Sequence, residues 1–133
     1  IIFDKLFIRE MRHPKVIFTV RGGPVLNDVT IEDAEFAGIK EVADVISSGY
    51  DGPSTIPDRS GKDFQKHFKE ADIIISKGQG NLEGLFNNND PRIFYLLLVK
   101  CDVIAELLKV KKNSMVVYNH SCPLIHVTAV SAC

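Results

Sequence analysis

A chain of 133 residues, 45% apolar and 25% charged with a formal net charge of -1, has room for one domain with a packed core and is composed like an ordinary globular protein. That balance excludes a disordered chain and lacks the basic field that selects nucleic acid or an anionic membrane surface. The three cysteines, Cys101, Cys122 and Cys133, are odd in number and widely spaced, which is no disulfide framework, so a reducing, cytoplasmic setting is expected.

Ile2, Phe3, Leu6, Phe7 and Met11 recur at three- and four-residue spacing and predict an amphipathic helix over 1–12, ended by His13-Pro14. The chain opens inside this helix without a methionine and reads as a fragment missing its upstream portion. Residues 15–21 are β-branched and apolar without alternation, which predicts a strand covered on both faces. Thr30 is the expected N-cap of the next helix, with Asp33 reaching back to it, and Gly38 suits the end of that helix. Residues 43–46 predict a second strand, 49–60 an irregular loop rich in glycine and proline, and 61–70 a helix with Phe64, His67 and Phe68 on one face. Further strands are expected at 72–76, 93–99 and 115–118, with a turn at 87–92 and a short helix at 103–108. The apolar stretch at 93–99 is far too short to cross a bilayer.

Alternation of strands and helices predicts an α/β fold, an open and mostly parallel sheet flanked by helices in a Rossmann-like, three-layer arrangement. Residues 1–118 make up the expected α/β domain, and 119–133 form a tail without a firm reading.

Three apolar stretches run straight into glycine-rich polar turns: Arg21-Gly22-Gly23-Pro24-Val25-Leu26-Asn27-Asp28, Ser47-Ser48-Gly49-Tyr50-Asp51-Gly52 and Ser76-Lys77-Gly78-Gln79-Gly80-Asn81. Neighbouring parallel strands would gather such turns at one sheet edge, where open α/β folds bind ligands. Asp28 suits either a helix-start carboxylate or a hard oxygen ligand for a divalent cation. Lys77 is a solvated lysine or, with the open backbone of Gly78 and Gly80, half of an anion site. Ser47 and Ser48 end a strand or donate to a phosphate, and Asn81 is a left-handed turn residue or a ligand contact. Neither a Walker A spacing nor a GxGxxG fingerprint is present, which disfavours a nucleotide-binding domain. His120, Cys122, His126 and Cys133 fit no structural zinc template.

These turns, with Val99-Lys100-Cys101, occur in the order and spacing of one family. From residue 1 to about Tyr118 the chain resembles the C-terminal, metal-binding part of the damage-control phosphatases, long catalogued as a domain of unknown function. The resemblance implies a metal-dependent phosphatase acting on small phosphorylated metabolites, such as sugar phosphates or damaged cofactor precursors, with Mn, Co, Ni or Mg as the cofactor. It further implies that Asp28 is one of three metal ligands and that Lys77 contacts the phosphate, making these two the catalytic residues. Gly78, Asn81 and Ser47 complete the implied phosphate site. The family's other two ligands, an Asp-Asn pair, precede a helix resembling Ile1 to Glu10, so the 133 residues alone are expected to be inactive. The alternative is a non-catalytic α/β module that binds phosphate or a nucleotide.

Overall fold

The computed structural model describes residues 1–26 and 28–127, the side chains of 123–127 excepted. The predicted α/β class holds, and the chain divides into two compact units, Ile1–Glu70 and Ala71–Cys133.

The first unit contains α1 (Ile2–Met11), β1 (Ile17–Val20), α2 (Ile31–Phe36), β2 (Asp44–Ser47) and α3 (Lys62–Glu70). β1 and β2 pair in parallel, from Ile17 opposite Asp44 to Val20 opposite Ser47. Their core is Val20, Ala34 and Ile39, packed by Phe18, Val29, Ile31 and Val45. The predicted capping box is formed: the Thr30 hydroxyl accepts from Asp33 N, and the Asp33 carboxylate accepts from Thr30 N at 2.9 Å. Those bonds to Thr30, the backbone one foremost, hold the Asp33 carboxyl below its ordinary pKa. Gly38 (φ 68) follows the end of α2 as its sequence suggested. The apolar stripe that predicts α1 stays largely exposed: Phe3 is 81% exposed and Ile8 is the one buried residue of the helix.

The second unit contains β3 (Ile74–Lys77), α4 (Gln79–Leu85), β4 (Ile93–Leu98), α5 (Asp102–Leu108), β5 (Met115–Asn119) and β6 (Cys122–Val127). Its sheet runs in the order β3-β4-β5-β6, parallel between β3 and β4 and antiparallel beyond. The change of direction has a local cause. The short α5 and a turn with Asn113 in the left-handed region (φ 68) return the chain to the edge it left, where Asn113 N donates to Val99 O at 2.7 Å. Along β4 the faces alternate: Ile93, Tyr95, Leu97 and Val99 are buried, while Phe94 and Leu98 are exposed. That is the two-residue period of a strand with one packed face.

Two elements lie beyond the sequence expectations. α4 carries Gly80 and Gly84, each costing about 1 kcal/mol of helix propensity against alanine, and is held by burial of Leu82 and Leu85 against β3 and β4. β6 occupies part of the stretch after Asn119; residues 128–133 of the expected tail lie outside the described residues. No described helix is long and apolar enough to cross a membrane.

Candidate functional site

The first two glycine-rich turns meet at the C-terminal edge of β1 and β2. Ser48 N donates to Val20 O at 2.8 Å, and Gly22 N donates to Tyr50 O at 3.0 Å. The approach is close enough that a Cβ on Gly22 would lie 2.5 Å from Tyr50 N. Arg21 leaves β1 with its backbone N bonded to Val29 O, and its Nε donates to Asp28 Oδ2 at 2.7 Å. The same guanidinium donates to Ser54 O. Asp28 is thus fixed by an arginine whose side chain is largely buried, while its own side chain stays 43% exposed. Capping of α2 belongs to Thr30, which removes that explanation for Asp28. Asp28 lines an open cleft of about 460 Å³ with Ile1, Pro24, Leu26 and Asp33. Asn27 lies outside the described residues.

Ser47 and Ser48 turn their hydroxyls to local backbone. Ser47 Oγ accepts from Gly49 N at 3.1 Å, and the buried Ser48 Oγ donates to Tyr50 O at 3.3 Å. Both stabilise the turn, and Ser47 sits at the strand end that Arg21 shares.

The third turn leaves β3 in the second unit. Lys77 ends the strand opposite Leu96, and Gly78 takes φ 94, ψ 150, a backbone state that only glycine adopts freely. No atom lies within 4 Å of a Cβ built on Gly78, so its requirement is conformational. Asn81 lies in α4, not in a left-handed turn, and its Nδ2 donates to Lys77 O at 2.8 Å. Gln79, unremarked in the sequence between its two glycines, makes three side-chain hydrogen bonds. Its Oε1 accepts from Lys100 N at 2.7 Å, and its Nε2 donates to Glu83 Oε1 at 2.9 Å and to Cys101 Sγ at 3.4 Å. It fastens the β3–α4 turn to the Val99-Lys100-Cys101 segment. Only the Gly-x-Gly spacing marked this position, and that spacing is silent about the middle residue.

The donor set bears on the expected metal. Asp28 offers a hard carboxylate oxygen of the kind Mg²⁺ and Mn²⁺ select, with an open cleft beside it. No group of three His, Cys, Asp or Glu side chains converges among the described residues. Asp28 therefore fits as one ligand of a cation, not as a complete site.

The family profile described as the damage-control phosphatase ARMT1-like domain matches residues 1–116. The chain belongs to that family. It is 41% identical over 117 residues to a protein of Pyrococcus horikoshii named damage-control phosphatase PH1575, covering 86% of this chain and 41% of the relative. An Archaeoglobus fulgidus protein named damage-control phosphatase is 34% identical over 119 residues, covering 87% and 41%. An uncharacterised protein of Methanocaldococcus jannaschii, MJ0202, is 40% identical over 111 residues, covering 80% and 36%. The crystal structure of a DUF89 family protein from Pyrococcus horikoshii superposes with a TM-score of 0.84 at 39% identity, over 89% of this chain and 42% of that one. The chain thus spans less than half the length of the relatives it matches.

Proposed function

We propose that this chain carries part of the active site of a metal-dependent phosphatase that hydrolyses small phosphorylated metabolites in the cytoplasm. The observation carrying the reading is the Lys77–Asn81 loop, in which Asn81 holds the Lys77 backbone and Gly78 opens the chain beside it. This occurs in a chain whose relatives are named damage-control phosphatases.

In this reading Asp28 is a metal ligand, aimed by Arg21. A divalent cation, Mn, Co, Ni or Mg, supplies polarisation of a phosphoryl oxygen when bound. Lys77 and the backbone N–H groups after it offset the charge that builds on the phosphoryl oxygens in the transition state. Asn81 and Gly78 set the shape of that loop, and Ser47 contributes a hydroxyl at the β2 edge. One carboxylate alone holds Mg²⁺ or Mn²⁺ poorly, so the 133 residues by themselves have little turnover. A form extended upstream to the length of the relatives should hydrolyse a generic aryl phosphate only with added metal, and Asp28→Ala should remove that activity. Phosphate binding without turnover in the extended form would instead mark a non-catalytic module.

A further inference from the structure

Lys100 stands at the same sheet edge as Lys77 and on the same face. Lys77 is paired with Leu96 on the neighbouring parallel strand. Along β4 and the two residues after it the buried side is Ile93, Tyr95, Leu97 and Val99, so Leu96, Leu98 and Lys100 share the face of Lys77. Lys100 is exposed, and its ammonium forms no ion pair among the described residues. Its backbone is anchored, however, because Lys100 N donates to Gln79 Oε1 at 2.7 Å. The Gln79 amide is itself held by Glu83 and Cys101. The Lys77 carbonyl is fixed in turn by Asn81 at 2.8 Å. Two amide side chains of one loop therefore hold the backbones of two lysines.

Lys100 lies four positions beyond Leu96, the strand partner of Lys77, roughly 13 Å of extended backbone at about 3.3 Å per residue. Backbone positions that far apart let the two long side chains reach separate groups of one ligand. We propose that Lys100 is a specificity-determining residue that binds a second anionic group of the substrate, a carboxylate or a second phosphate, while Lys77 binds the phosphate. Gln79 is the positioning residue that holds Lys100 in register with the Lys77 loop. The inference rests on the phosphate reading of Lys77 and adds the substrate class: phosphate esters with a second acidic group.

The test is calorimetric titration of the chain with glycerol 3-phosphate and with 3-phosphoglycerate, which differ by one carboxylate. The chain should bind 3-phosphoglycerate about fivefold more tightly, the upper end for a solvent-exposed ion pair. Lys100→Ala should abolish that preference and leave glycerol 3-phosphate within twofold of its original affinity. Gln79→Met should reduce the preference in the original background and do nothing further beside Lys100→Ala, which separates positioning of Lys100 from a general loss of structure. Lys77→Ala should weaken both ligands. Equal affinity for the two ligands, with Lys77→Ala still weakening both, would overturn the role of Lys100 alone. Binding of neither ligand, or binding indifferent to Lys77→Ala, would overturn the phosphate reading of the edge and this inference with it.

Discussion

Arg21 Nε donates to Asp28 Oδ2 at 2.7 Å, and the same guanidinium reaches Ser54 O, so one side chain ties the β1 exit, the Asp28 turn and the loop after β2. The Arg21 side chain is only 10% exposed, whereas that of Asp28 is 43% exposed. Arg21→Ala should cost about 1–2 kcal/mol, a charge-assisted bond discounted for the solvent around Asp28. In the extended protein it should also weaken metal activation. Urea unfolding and a metal titration check the two effects, and an unchanged unfolding midpoint would show that the guanidinium does not hold this edge.

Gly22→Ala tests how tightly the first two turns approach. The added methyl would meet Tyr50 N at 2.5 Å and Gly49 C at 2.7 Å, both backbone atoms that cannot swing aside. Overpacking of this kind costs about 3 kcal/mol. Gly78→Ala meets no atom within 4 Å, yet it forces φ 94 on an L side chain, so a loss of about 1–3 kcal/mol there would come from backbone strain. Thermal unfolding of the two variants should show the larger loss at Gly22; the reverse order would contradict the close approach.

The course of the chain was readable where one physical signal acted alone. The 3.6-residue apolar period gave α1 and α3, and the Thr30–Asp33 pair marked the start of α2. α4 was hidden because Gly80 and Gly84 lower propensity, while the burial of Leu82 and Leu85 that overrides it is a tertiary effect. The antiparallel return of β5 was equally hidden, since a strand's sequence carries its period and not its direction. At the candidate site the residue types of Asp28 and Lys77 stood out with their glycines. The Arg21 bond to Asp28, and Gln79 as the link to Lys100, depend on loop geometry that spacing does not encode.

Asp90 and Arg92 give a pH dependence. Arg92 donates to Asp90 through Nε and Nη2, at 3.0 and 2.6 Å, and also reaches Ala71 O at 2.8 Å. The side-chain bond to Arg92 holds the Asp90 carboxyl below its ordinary value. A carboxyl with a depressed folded-state pKa adds stability that is present above its unfolded pKa, near 3.9, and is lost as pH falls through the folded value. Asp90→Asn should therefore lower the urea midpoint at pH 7 and match the original protein more closely as pH falls below about 4. A gap between the two proteins that stays constant down to pH 3 would argue against the pair.

Tyr95 behaves in the opposite sense. Burial, followed by Tyr118 and Asp90, raises its phenol to about 12, and its hydroxyl has no hydrogen-bond partner among the described residues. A folded pKa above the unfolded value near 10 adds stability that is complete below pH 10 and is lost as pH rises toward 12. Absorbance titration should show a phenolate step near 12 that Tyr95→Phe lacks. The substitution itself should be neutral or stabilising by up to about 1 kcal/mol, because it deletes an unsatisfied buried group.

The decisive measurement is metal-dependent hydrolysis of an aryl phosphate by a form extended to the length of the relatives, with Asp28→Ala and Lys77→Ala measured beside it. Turnover that requires Mn²⁺, Co²⁺, Ni²⁺ or Mg²⁺ and falls at least about 100-fold in each variant, close to 3 kcal/mol of transition-state stabilisation, is the result expected. Full activity without metal, or activity untouched by Asp28→Ala, would contradict the central claim that Asp28 holds the catalytic cation.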